Sequence, residues 1–150
     1  MKRIEFFTLF AAVLISVSCS SNKKSDEKIN DMKEFINETT RCTEEFVINI
    51  AGSNKDGDII STIETFRSGI TLLGEKSRDM KKKYPDIEVW FNEPPAELAD
   101  DLDRLHAAEK KFEDTLKSGK VRELRKKNSM VQYAFNNLIK ELDSVKFFQD

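Results

Sequence analysis

Three prolines and five glycines are all that punctuate 150 residues. A sandwich or barrel of short strands needs a turn signal every eight to twelve residues or so, and too few turn formers are present for that. Histidine occurs once, at His106, and cysteine twice, at Cys19 and Cys42. No Glu-x-x-His pair of the di-iron bundle type exists, and a single histidine beside distant cysteines cannot assemble a zinc centre. Gly-x-Ser-x-Gly elbows, Gly-rich phosphate loops and Cys-x-x-Cys-His haem attachment are also missing. Neither sign of charge dominates, with 25 Lys and Arg against 27 Asp and Glu. Such a balance excludes general attraction to nucleic acid. No cofactor, no metal and no enzymatic activity are expected.

What is present begins with a leader. Met1-Lys2-Arg3 is basic, and Ile4 to Val17 is apolar apart from Glu5, Thr8 and Ser16. That run is shorter than the roughly 20 residues a membrane-crossing helix needs. Residues 1–18 are therefore expected to be a cleaved signal peptide. Without Lys2, Arg3 and Glu5 the remaining chain carries a formal charge of about −3. The junction Ile15-Ser16-Val17-Ser18-Cys19-Ser20 resembles the lipobox of bacterial lipoproteins, a likeness confined to residues 1–25. It implies a fatty acyl group on Cys19, attachment to the membrane through that lipid and, with Ser20 following, an outer-membrane address. Ser16 departs from the usual Leu, Val or Ile. Ser16-x-Ser18 also satisfies ordinary signal peptidase, which leaves plain secretion to the periplasm or medium as the alternative. Residues 19–25 read as a lipidated start and a polar tether.

Residues 26–150 read as one domain, all-α, an antiparallel up-down four-helix bundle. Ile29, Met32, Ile36, Thr39, Thr43, Phe46 and Ile50 recur at three- and four-residue steps, giving a first helix from Asp26 to about Ala51. The second runs from about Asp58 to Tyr84, with Asp56 or Asp58 as its N-cap and Lys81-Lys82-Lys83 at its negative end. Gly69 and Gly74 weaken it and mark a bend or a close helix contact. The stretch from Pro85 to Pro94 alternates Ile87, Val89 and Phe91 with polar residues, which allows a short extended piece, and its apolar content suggests that it folds back over one end of the bundle. A third helix starts near Pro95 and ends before Ser118-Gly119. The fourth carries Val121, Leu124, Asn128, Val131, Phe135, Leu138, Leu142 and Val145 from about Lys120 to Phe147.

Several features are weighed for chemistry. Asn54-Lys55-Asp56-Gly57-Asp58-Ile59 resembles the middle of an EF-hand loop, but Gly52 and Ile63 occupy the first and twelfth ligand positions, so a turn and helix cap is the simpler reading. His106, beside Leu105, is a boundary residue unless Met32, Met80 or Met130 joins it on a haem. Cys42 is expected to be a core or boundary thiol, or else to form an intermolecular disulfide. Glu109 and Asn128 interrupt apolar stripes at similar heights, as a buried polar layer would, or else both face solvent. Lys117, Lys120, Arg122, Arg125, Lys126 and Lys127 form a basic cluster, either a solvated face or a dock for an acidic partner.

The expected function is that of a lipid-anchored, non-catalytic helical module of the cell envelope: an accessory, inhibitor or immunity-type lipoprotein. It would bind an envelope protein through Trp90, Phe91, Phe147 and Phe148, the aromatic residues at the tethered end, although Trp90 reads first as a lid on the core. The alternative is a carrier or sensor holding a small apolar ligand, or haem, in a pocket lined by Phe66, Phe112 and Phe135.

Overall fold

A computed structural model describes residues 23–145, 147 and 148. The leader, Cys19 and the lipobox lie outside the described residues. Every regular element among those described is helical, and no strand occurs. None of the helices is long and apolar enough to cross a membrane.

Helix α1 spans Lys23–Gly52, so Lys23, Lys24 and Ser25 of the expected tether are already helical. Helix α2 spans Asp56–Lys83; its N-cap is Lys55, which makes no side-chain cap, while Asp56 and Asp58 lie in the first turn. There their carboxylates face the positive end of the helix dipole, and Lys81, Lys82 and Lys83 sit at the negative end. The expected extended piece is instead a single turn of helix, α3 (Val89–Asn92). With no strand to pair against, its backbone groups are satisfied locally: Ile87 N donates to Tyr84 O at 3.0 Å and Trp90 N to Ile87 O at 3.0 Å. A 3-10 turn at Ala96–Leu98 leads into α4 (Ala99–Lys117).

The expected fourth helix is two, α5 (Gly119–Lys127) and α6 (Ser129–Ser144). Asn128 separates them with φ −134° and ψ 117°, and its Oδ1 accepts from Met130 N at 2.8 Å and Val131 N at 3.3 Å. An Asn side chain competes with the helix for backbone donors, which makes it a poor interior residue and a good N-cap. Ser118 does the same for α5, accepting from Val121 N at 3.2 Å.

Side-chain pairs fix the helix directions. Along α1 and α2, Lys83 meets Glu27 and Asp31 at 2.7 and 2.8 Å, Lys76 meets Glu34 and Glu38 at 2.8 Å, and Phe46 meets Phe66. Numbers rise on one helix as they fall on the other, so the pair is antiparallel. Asn37 meets Asp101 and Phe46 meets Phe112, so α1 and α4 run parallel. Asp56 meets Asn128 and Thr71 meets Glu141, so α2 and α6 are parallel as well. A short link makes α1 and α2 the antiparallel hairpin their spacing predicts, whereas a matching hairpin of the third and fourth helices does not form: α4 packs chiefly on α1, and α6 on α2. The segment from Tyr84 to Leu98 carries the chain from the end of α2 to α4 on the other flank of α1. Ile87, fully buried, seals that end as it passes.

One apolar core runs through the molecule. At mid-height Phe46, Phe66 and Phe112 pack against one another with centroids 4.7–5.1 Å apart. Buried hydroxyls are satisfied within α1, where Thr39, Thr40 and Thr43 each donate to the carbonyl four residues back at 2.8 Å. Gly69 and Gly74 of α2 mark close approaches. A Cβ at Gly69 would lie 2.8 Å from Cys42 Sγ, and one at Gly74 would lie 3.0 Å from Val145 Cγ1.

Candidate functional site

The aromatic residues expected to dock a partner are largely consumed by the fold. Phe148 is 1% exposed, and its ring meets Phe35 edge-on at 5.0 Å; Phe147 meets the same ring at 5.8 Å. The chain turns back after α6 to place them there. Phe148 sits at φ 56°, an unusual value for a residue with a side chain, and its N–H donates to Ser77 Oγ at 3.4 Å. Trp90 is half-buried against the core, with Lys28 Nζ 4.1 Å from its ring centroid. Lys28 is itself 6% exposed and reaches Asp86 at 3.0 Å. The ammonium is thus held between a π-face and a carboxylate, and the linker is clamped to α1. Nearby, Tyr84 donates to Asp31 at 2.8 Å. Lys83 holds the Asp31 carboxyl below its ordinary value against the opposing effect of burial, and Tyr84 adds to the lowering. The side chain of Phe91 lies outside the described part of the chain.

Glu109 and Asn128 are not brought together. Asn128 caps α6 and donates to Asp56 at 2.8 Å. Glu109 is partly buried on α4, its Oε1 having no hydrogen-bond partner; burial, and secondarily the charge of Glu113, pushes its carboxyl up to about 8. Asp56 is thus engaged with the cap of another helix, and no group of three or more metal-ligating side chains occurs among the described residues. Met32 and Met80 are buried while Met130 is 65% exposed, and His106 is half-buried on α4. At the level where the alternative reading would hold an apolar ligand, Phe66 and Phe112 contact each other and Phe46, so that level of the interior is filled. Phe135 lies apart from this layer, under Arg125 at 5.9 Å.

An open cavity of about 160 Å³ between α1 and α2 is lined by Cys42, Glu45, Phe46, Asn49, Ser61, Thr62, Thr65 and Phe66. Its thiol is a poor nucleophile, since burial, and to a lesser degree Glu45, raises Cys42 to about 11.

The opposite end of the molecule offers more. Lys120 Nζ donates to Ala51 O at 2.8 Å and Ser53 O at 2.6 Å, closing the end of α1. Arg125 donates to Asn136 Oδ1 at 2.9 Å, which folds α5 onto α6. Beyond these, Arg122, Lys126 and Lys127 are exposed. Met130 and Tyr133, 65% and 68% exposed, stand on the face of α6 opposite the buried stripe of Val131, Phe135, Leu138 and Leu142. One turn on, Asn136 continues that outer face and carries the Arg125 guanidinium. The signal for Met130 and Tyr133 was in the sequence, as two large apolar residues off the helix's own stripe. No protein-family model, no curated protein and no solved structure matches this chain.

Proposed function

We propose that the protein is a lipid-anchored, non-catalytic interaction module of the cell envelope, its described residues forming a four-helix scaffold in which α5 and α6 together make the fourth arm. The observation that carries this is the filled Phe46–Phe66–Phe112 layer combined with large apolar side chains left outside the fold on α6. A carrier needs interior space at that level. A binding protein needs an unpartnered surface, which the outer face of α6 supplies.

The anchor rests on the leader and on the Ser18-Cys19-Ser20 junction, which favours the outer membrane. The described part of α1 opens at Lys23, close in sequence to Cys19, and this puts the clamped end of the domain toward the membrane. Over its 30 residues α1 rises about 45 Å, which sets the elbow of α5 and α6 at that distance from the anchor.

Intact-mass analysis of the mature chain, with fractionation of Cys19→Ala, tests the anchor. Acyl mass on Cys19 and release of the variant from membranes are the expected results. An unmodified Cys19 at the mature N-terminus would establish plain secretion instead.

A further inference from the structure

We infer that the elbow of α5 and the outer face of α6 is a docking surface for an acidic segment of a protein partner, one that carries an apolar side chain among its carboxylates. This rests on the interaction-module reading and names the partner's chemistry.

Cations outnumber acids along this stretch. Positions 119–140 hold six cations and one acid, Glu123, in a chain whose net charge is −2. Two of the six serve the fold: Lys120 closes α1, and Arg125 is laid across Phe135 and Asn136. Lys126 lies 3.8 Å from Glu123 with both side chains exposed, a pairing too weak and too hydrated to neutralise either. Arg122, Lys126 and Lys127 remain exposed around the elbow.

Beside them Met130 and Tyr133 present a thioether and a phenol ring, 65% and 68% exposed. The helix does not need either: its core stripe is complete on the opposite face. An exposed aromatic residue and methionine that follow closely in the chain on exposed cations supply the residue types of an interface core and its polar rim. The matching partner places an apolar side chain against Tyr133 and Met130, and carboxylates against the rim.

The segment must be short. Asp56, bonded to Asn128, and Asp58 border the elbow on the α2 side, and Glu123 interrupts α5. A long phosphate polymer tracking past the cations would run onto these carboxylates, which disfavours nucleic acid. An anionic bilayer is flat and wide, and would meet the same acids.

The test uses the mature chain, isotopically labelled for NMR, and a synthetic dodecapeptide of alternating Glu and Leu with one Trp. Phosphatidylglycerol vesicles, an oligothymidylate and the Lys-for-Glu peptide are run beside it. Shift changes from the acidic peptide should concentrate between Arg122 and Asn136. Lys126→Glu with Lys127→Glu should weaken binding about tenfold or more, and so should Met130→Ser with Tyr133→Ser. All four positions are exposed, and unchanged circular dichroism verifies that each variant is folded.

Equal shifts at Lys81–Lys83 or Lys110–Lys111, or an undiminished affinity in the Met130/Tyr133 variant, would reduce the effect to unspecific charge and overturn the proposal. Tighter binding of the vesicles or the oligonucleotide would overturn it in favour of that ligand. The assay is independent of the lipid. Failure of Cys19 modification leaves a positive result standing, and a negative result leaves the anchor standing.

Discussion

The two ends of the helical domain handle their aromatic and charged residues in opposite ways. Where α1 begins, Trp90, Phe147 and Phe148 are drawn inward, and Lys28 and Lys83 are bound to Asp86, Glu27 and Asp31. At the elbow, Met130 and Tyr133 point outward, and the cations outnumber the acids. The difference teaches that aromatic content alone does not locate an interface. Phe147 and Phe148, packed on Phe35, use the same residue types to finish the core.

This contrast can be broken at several points, the largest effect first. Phe148→Ala should cost about 3–5 kcal/mol, as expected of a phenylalanine removed from a packed core. Urea denaturation measures it, and a loss below about 1 kcal/mol would mean that the closed end is not closed.

Glu109 comes next. Its carboxyl value is raised in the folded chain, so between the ordinary carboxyl range and about 8 the folded protein holds a proton that the unfolded chain has released. Stability should therefore fall as pH rises through that window and level off above it. Glu109→Leu should remove this decline and gain about 1–3 kcal/mol at alkaline pH, measured by denaturation at pH near 5 and near 9.

Asn128→Ala removes the side-chain cap of α6 and its bond to Asp56. A loss of about 1 kcal/mol is expected by thermal denaturation, with fewer protected amides in the first turn of α6. Smallest of all, Tyr133→Ser should change stability by less than about 0.5 kcal/mol. A larger loss would show that Tyr133 belongs to the fold, and that the open end is less open than its exposure implies.

The helical class was legible because few glycines or prolines interrupt the three- and four-residue spacing of apolar residues. Gly69 and Gly74 were legible as close contacts, since a helix tolerates their cost only for a reason, and Cys42 and Val145 are the reason. The short link joining α1 to α2 made that pair legible, but the neighbours of α4 and α6 were not. Broad stripes on four helices satisfy more than one packing order, and the choice is made by the crossing of Tyr84–Leu98, where alternation of apolar residues suggested a strand. Phe147 and Phe148 follow the last helical turn, where periodicity no longer assigns a face. Asn128 was singled out correctly as an interruption, but the same residue type serves a buried polar layer and an N-cap. Only the backbone at that position decides between them.

That crossing also bears on how the chain reaches its native state. A bundle of consecutive hairpins can assemble by zipping neighbours together, each contact closing a short loop. Here the pairs Asn37–Asp101 and Asp56–Asn128 close loops of 64 and 72 residues before α1 can meet α4 or α2 can meet α6. Among the long helices, the antiparallel pair α1 and α2 is assembled from adjacent segments, and α5 folds locally onto α6. Folding should therefore proceed through an α1–α2 hairpin as its first stable unit. It should be slower than in a helical protein of equal size with local pairings, because the entropy of closing those long loops precedes the contacts that offset it.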